Sequence, residues 1–164
     1  VEKVAETISP SMDIQIASNF ERLIYDLHNG DDLQTIKAMN DIKKKGKYII
    51  NQENLDKINT NFLSSKMSEE EVLKTIKKVY EKFGVVLDPH SAIGYGAFDK
   101  VDISGNNIAL ATAHPSKFPN AIKNAINLKA ELPKKLAYIL DEKEIYDIIG
   151  NNVDKVKQHI KERI

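Results

Sequence analysis

The chain has 164 residues, of which 41% are hydrophobic and 29% charged, a composition typical of a soluble globular domain with a real core. Its 24 basic and 24 acidic residues give a net charge of zero, which argues against nucleic acid as the main partner because phosphate binding needs a basic excess. Without cysteine there are no disulfides or thiolate metal sites, and no apolar run approaches the ~20 residues of a membrane span. We therefore expect a cytoplasmic protein that does not enter the membrane.

The first predicted helix carries an apolar face with helical spacing. Pro10 and Asp13 suit its start, and Asn29-Gly30 is typical of a helix end. The residues of this face are Ile16, Phe20, Leu23, Ile24 and Leu27.

Two further helices are predicted before residue 65. One is capped by Asp31 or Asp32 and closes at Gly46, which places the lysines of residues 43–47 at its negative dipole end. A weaker helix follows Asn51. Its apolar residues are Leu55, Ile58 and Phe62.

The clearest helix signal begins at Ser68. Ser68 and Glu71 form the pattern of a capping box, in which each side chain satisfies a backbone N–H of the other. Gly84 is the predicted end. The expected buried face consists of Val72, Ile76, Val79, Tyr80 and Phe83.

Two short apolar runs then predict strands. Val85–Leu87 and Ile108–Ala113 carry consecutive apolar residues, which suits parallel strands that are covered on both faces. Asp88 and Pro89 form an N-cap and a first helical residue between them. The order of strand, helix and strand predicts an α/β fold that is predominantly helical with a small parallel sheet.

Glycines and asparagines mark the remaining boundaries. The helix after Pro89 contains Gly94 and Gly96, each costing ~1 kcal/mol against alanine, so we expect close approach of a neighbour there. Residues 104–107 are a predicted turn rather than a phosphate loop, because they precede a strand and not a helix. Further helices are expected from Pro119 and after Asn151-Asn152. The last helix would bury Val153, Val156, Ile160 and Ile164.

The sheet predicted in this way is too small to stand alone. Buried parallel strands need neighbours on each side, and the chain offers no obvious others. Val1 stands where an initiator methionine would, so the chain looks cut from something longer or processed. We therefore expect a large exposed apolar surface, which self-association could cover.

Few residues are candidates for chemistry. The four histidines, His28, His90, His114 and His159, do not pair at helical spacing, so no metal site is predicted. Nucleophile elbows, Walker motifs and dinucleotide motifs are absent from the sequence. What remains is residues 88–90 and 112–115, which follow the two predicted strands and would meet at one rim. The alternative is that both are merely capped loops.

Three segments of the chain resemble the threonine synthase family. They are "SPSMDIQIASNFERLIYDL" (Ser9 to Leu27), "VVLDPHSAIGYGA" (Val85 to Ala97) and "LATAHPSKFPNAI" (Leu110 to Ile122). They occur in the family's order, and the resemblance covers nearly all of residues 1–164, as a single segment similar to the C-terminal part of that family.

The resemblance implies a fold and an activity. The family has the tryptophan-synthase-β type of fold, known as fold type II, and depends on pyridoxal 5'-phosphate (PLP). It is a lyase of threonine biosynthesis that converts O-phospho-L-homoserine and water to L-threonine and phosphate. Thr112 matches the residue whose hydroxyl lies by the pyridine nitrogen of PLP, which makes the ring a gentler electron sink than a carboxylate partner would.

Other residues are carried over as active-site wall or substrate contacts. An Arg side chain offers a bidentate fork to phosphate, and a Lys can also meet an anion. The residues are Ser9, Ser11, Asp13, Asn19, Arg22, Asp88, His90, His114 and Lys117.

The departures from the family limit what the chain does alone. Its Schiff-base lysine and its glycine-rich phosphate loop match nothing in these 164 residues, so the isolated chain is expected to be inactive without a missing N-terminal half. The alternatives are a non-catalytic remnant or truncated product, and a helical interaction or self-association module.

Overall fold

The structure, a computed structural model, describes residues 4–102 and 104–164. It contains seven α-helices in these residues and four short 3-10 turns. The helices are α1 (Ser18–Leu27), α2 (Asp32–Lys45), α3 (Gln52–Asn61), α4 (Glu69–Phe83), α5 (Pro89–Gly96), α6 (Pro119–Ile126) and α7 (Val153–Lys161). The chain divides into two compact units, of which the first ends at Glu131 and the second begins at Leu132.

Helices α1 and α2 pack together in the first unit. Ile24 of α1 is fully buried and lies in one cluster with Ala38 and Met39 of α2. Asp31 caps α2 by accepting a hydrogen bond from the Gln34 N–H at 3.0 Å. Gly46 ends α2 with φ +70°, a conformation that glycine adopts without a side-chain clash. The predicted bounds of α2 are confirmed.

The start of α1 differs from the prediction. Residues Pro10–Met12 form a separate 3-10 turn, and α1 begins only at Ser18. The side chain of Asp13 does not cap α1, because it bonds back to Thr7 instead. Asn29 and Gly30 both have positive φ, which confirms the predicted end.

The main core of the first unit lies between α4, α5 and α6. It is built from Val72, Ile76, Ala92 and Ile122. The capping box of Ser68 and Glu71 is present, and Gly84 ends α4 with φ +69°. The sequence predicts these two helix ends correctly because each depends on residues within one turn of the helix end.

The predicted parallel sheet is wrong. The described residues form no strand, and Val85–Leu87 and Ile108–Ala113 lie outside any helix or strand. Ile108 and Leu110 are 82% and 76% exposed, so the apolar run does not mark a buried strand here. The physical reason is that two short segments without further neighbours cannot satisfy a ladder, and the N–H of Thr112 bonds to the Ser91 side chain instead.

The two helix glycines behave differently. A Cβ at Gly96 would lie 2.6 Å from the Sδ of Met67, which confirms the expected close approach. Gly94 has nothing within 4 Å of such a Cβ, so that part of the prediction is wrong.

The second unit holds the 3-10 turn Lys134–Leu140 and helix α7. Asn152 caps α7 by accepting hydrogen bonds from the N–H groups of Asp154 and Lys155. The predicted burial of its apolar face is wrong: none of its residues is buried. The periodicity marks the apolar face correctly but says nothing of whether a neighbour covers it.

In residues 4–102 and 104–164 there is no helix long and apolar enough to cross a membrane.

Candidate functional site

Asp88 is the centre of a buried hydrogen-bond network. It is the N-cap of α5, where its side chain accepts from the N–H groups of His90 at 2.9 Å and Ser91 at 3.3 Å. Its carboxylate also accepts from the His90 Nδ1 at 3.0 Å and from the Ser91 hydroxyl. Asp88 is 1% exposed, so these four donors take the place of water.

His90 connects Asp88 to the N-terminal loop. Its Nδ1 faces the Asp88 carboxylate and therefore carries a proton. Its Nε2 accepts a hydrogen bond from the Ser11 N–H at 3.2 Å, which requires a lone pair and hence a neutral imidazole. The ring packs against Phe118, with centroids 4.9 Å apart.

Ser91 connects Asp88 to the segment around Thr112. Its hydroxyl donates to the Asp88 carboxylate and accepts from the Thr112 N–H at 2.9 Å. The Thr112 hydroxyl oxygen lies 3.4 Å from the Ser91 oxygen, beyond the usual length of an O–H···O bond. We call the set of Asp88, His90, Ser91, Thr112 and the Ser11 N–H the Asp88 network.

The network keeps the Asp88 carboxyl ionised. Burial alone would raise its pKa, but the hydrogen bonds from Ser91 and His90 outweigh burial and lower the pKa below its ordinary value. A carboxylate that serves only as an acceptor matches the four donors around it.

The loop before α1 is held by its own side chains and by α4. Asp13 accepts from both the N–H and the hydroxyl of Thr7, each at 2.8 Å, and the Ile8 N–H donates to Glu69 at 2.8 Å. Ser9 is 1% exposed, and its hydroxyl has no hydrogen-bond partner among residues 4–102 and 104–164. Ser9 and Asp13 line a cavity of about 250 Å³ with Met67, Glu69 and others.

An open depression of about 610 Å³ lies beside the network. Its walls come from residues 85–88, 113–115 and 129–131, together with Ser91 and Ala111. His114 lies on this wall, where its ring nitrogen accepts from the Ser116 N–H at 3.2 Å and so caps the turn Pro115–Lys117. Asp88 and His114 thus border the same depression.

Ser9, Asp13 and His114 lie outside the Asp88 network, and so do three further predicted site residues, Lys117, Asn19 and Arg22. Lys117 is exposed at the end of its 3-10 turn, and Asn19 is exposed in α1. Arg22 lines a depression beside α1 and α2 that also contains Glu21, Asp26 and Asp32. A depression lined by three carboxylates and one guanidinium is a poor site for a phosphate.

Sequence reasoning missed Ser91 and Phe118. Ser91 is the third residue of α5, and the side chain of a third residue lies next to the N-cap, so the pattern Asp-Pro-His-Ser contained a usable signal. The contact of Phe118 with His90 depends on how α6 meets α5 and has no local signal. Metal binding has no support in the described residues, which contain no group of three potential His or carboxylate ligands.

A structural relative defines the class of protein. The crystal structure of a PLP-bound threonine synthase from Brucella melitensis matches the chain with a TM-score of 0.82 and 38% identity. The match covers 98% of this chain and 35% of the crystallised one. The fold is therefore that of one part of a larger synthase.

Sequence comparisons agree. The family model "Threonine synthase, C-terminal" matches residues 91–160. Threonine synthase from Saccharomyces cerevisiae is 35% identical over 99% of this chain, and that from Pseudomonas aeruginosa is 35% identical over 94%. The chain spans 37% and 34% of the length of these relatives. The resemblance noted in the sequence is confirmed: the chain corresponds to the C-terminal segment of the threonine synthase family.

Proposed function

We propose that the chain acts as the C-terminal part of a threonine synthase, a PLP-dependent lyase of threonine biosynthesis in the cytoplasm. The complete enzyme would convert O-phospho-L-homoserine and water to L-threonine and phosphate. The proposal rests on one observation in this chain: Ser91 holds the backbone N–H of Thr112, and the Thr112 hydroxyl is exposed. The similarity to threonine synthases over 99% of the chain supports the choice of reaction.

The Thr112 hydroxyl fits a neutral partner for the cofactor ring. The proton of Ser91 is directed to Asp88, so Ser91 can only accept from Thr112, and it does so well only from the N–H at 2.9 Å. The exposed Thr112 hydroxyl, 3.4 Å away, is therefore available to donate to a better acceptor such as an unprotonated ring nitrogen. PLP supplies the electron sink, and a hydroxyl partner leaves that sink weak enough to favour elimination and replacement over transamination.

The rest of the machinery is assigned outside this chain. A Schiff-base lysine and a phosphate cradle are the elements that the resemblance does not match to any residue here. We therefore propose that the isolated chain does not turn over substrate, and that it contributes the Thr112 hydroxyl and the neighbouring wall when joined to a segment that carries both.

A hybrid enzyme tests the proposal. The C-terminal third of the Pseudomonas aeruginosa threonine synthase is replaced by this chain, and phosphate release from O-phospho-L-homoserine is measured together with cofactor absorbance. Hybrids are compared only where circular dichroism shows the same helix content. The hybrid should release phosphate, and the chain alone should not.

Two variants of the hybrid isolate the hydroxyl. Thr112→Ser retains it and should stay near full activity, whereas Thr112→Val keeps the shape and should lower kcat about fivefold, the value of a net hydrogen bond of ~1 kcal/mol. A fully active Thr112→Val hybrid would contradict the role of Thr112. Turnover by the isolated chain would show that the catalytic lysine had been overlooked.

A further inference from the structure

The Asp88 network joins two segments that are far apart in sequence. Through His90 it reaches the backbone of Ser11, and through Ser91 it reaches the backbone of Thr112. Both arms start from the same carboxylate, which lies at the first turn of α5 with its side chain 0% exposed.

We propose that Ser91 and Asp88 are positioning residues that fix the Thr112 hydroxyl for the cofactor. The Ser91 hydroxyl accepts a hydrogen bond from the Thr112 N–H, and this contact fixes the position of the Thr112 backbone from which the side chain extends. Asp88 in turn accepts a hydrogen bond from the Ser91 hydroxyl, and this bond orients the lone pairs of Ser91 toward Thr112. The consequence for the reaction rests on the proposed function, whereas the positioning itself is a property of the chain.

Helix capping alone does not account for this arrangement. An N-cap needs only to accept backbone N–H groups of the first turn, which the Asp88 side chain does with His90 and Ser91. The Ser91 hydroxyl is a further donor to Asp88, and it faces Thr112 rather than the helix. Ser91 is also buried at 3% exposure, so its hydroxyl has no bulk water to orient it.

The segment that contains Thr112 is held at this point by Ser91. In the described part of the chain, the Thr112 N–H has Ser91 as its partner and takes no part in a strand ladder. Ile108 and Leu110 just before it are largely exposed and add little packing. A change at Ser91 should therefore be felt at Thr112 more than elsewhere.

Amide hydrogen exchange on the isolated chain tests the positioning without any cofactor. Ser91→Ala should raise the exchange rate of the Thr112 amide at least tenfold, and Ser91→Thr, which retains a hydroxyl, should leave it within about threefold of the original. Ser68→Ala is the matched control, because it removes another serine hydroxyl at a helix start that does not touch Thr112. If Ser91→Ala does not fold, Ser91→Cys removes the hydroxyl with less change of shape.

Asp88→Asn separates positioning from capping. Asparagine caps helices as well as aspartate does, but its NH₂ group replaces one carboxylate oxygen and therefore faces two donors, either those of His90 or those of Ser91. With the NH₂ group toward Ser91, the Thr112 amide should exchange faster, whereas the amides of α5 beyond its first turn should change little. Unchanged exchange at Thr112 in the folded Ser91→Ala or Ser91→Cys chain would overturn the proposal.

Kinetics in the hybrid enzyme then test the consequence. Ser91→Ala should lower kcat several-fold with little change in KM, and Ser91→Thr should restore it. A fully active Thr112→Val hybrid would remove the proposed role of Thr112 but would not alter the exchange result. Faster exchange at Thr112 with an unchanged kcat in a hybrid that needs Thr112 would overturn the positioning role.

Discussion

Removing the side chain of Ile76 should cost more stability than the same change at a half-exposed isoleucine. Ile76 is 0% exposed and belongs to the cluster formed with Val72, Ala92 and Ile122. Ile76→Ala deletes three carbons, which at about 0.8 kcal/mol per buried CH₂ amounts to about 2.4 kcal/mol. A residual cavity of about 40 Å³ would add about 1 kcal/mol. We therefore expect a loss of about 3 kcal/mol in the free energy of unfolding.

Ile36→Ala is the matched control for this prediction. Ile36 lies in α2 and is 53% exposed, so the same three carbons should cost less than about 1 kcal/mol. The assay is urea unfolding followed by far-ultraviolet circular dichroism, with midpoint and slope compared between variants. Equal losses for the two variants would show that the cluster around Ile76 is not the core of the first unit.

Two further predictions concern α4 and α5. Hydrogen bonds from Lys100 at 2.7 Å and from the Ser68 cap lower the pKa of Glu71 to about 2, below the 4.5 of the unfolded chain. The contribution of Glu71 to stability is therefore complete above pH 4.5 and is lost as the pH falls toward 2. The Glu71→Gln variant should be less stable than the original chain at pH 7, and the difference in stability should disappear in acid. Gly94→Ala should raise the free energy of unfolding by about 0.5–1 kcal/mol, and Gly96→Ala by less, because its Cβ would displace Met67; urea titration compares the two.

Outcomes against these two predictions are easily recognised. A Glu71→Gln deficit that persists at pH 2 would mean that the lost shape, and not the charge, matters. Glu81→Gln is the control, since the Glu81 carboxylate meets Lys77 only at 3.8 Å. Equal gains at Gly94 and Gly96 would show that Met67 moves aside without cost.

Helix ends were the part of the fold that the sequence predicted best. Asp31, Asn51, Ser68, Asp88 and Asn152 all cap the helices expected of them. A cap is decided within three or four residues, so the information lies in the local sequence. The start of α1 is an exception, because Asp13 found a partner in Thr7 rather than in the helix.

The burial of apolar segments and the pairing of strands could not be predicted from local sequence. The run Ile108–Ala113 has the composition of a buried strand, yet Ile108 is 82% exposed. Whether an apolar segment is covered depends on what lies beside it, which local composition does not contain. The same limit explains the exposed apolar face of α7.

The sequence placed Asp88, His90 and Thr112 at one candidate site, and their role in an active site stays a prediction. The motifs that carry the resemblance contain these residues, and the structure joins Asp88 to His90 directly and to Thr112 through Ser91. The link through Ser91 was overlooked, although its spacing from Asp88 is that of a helix N-cap and its third residue. For Arg22 the residue type suggested a phosphate partner, but acidic residues line the same depression: Glu21 and Asp26 lie near Arg22 in α1, and Asp32 comes from α2.

The four donors that meet on Asp88 also constrain how this stretch can change over generations. Glutamate would place its oxygens beyond the helix start, asparagine would present a donor to a donor, and an apolar residue would leave all four groups unmatched. A substitution at Asp88 should therefore cost less when the side chains of His90 and Ser91 change with it, since two of the four donors belong to those side chains. We expect residues 88, 90 and 91 to change together in evolution or not at all.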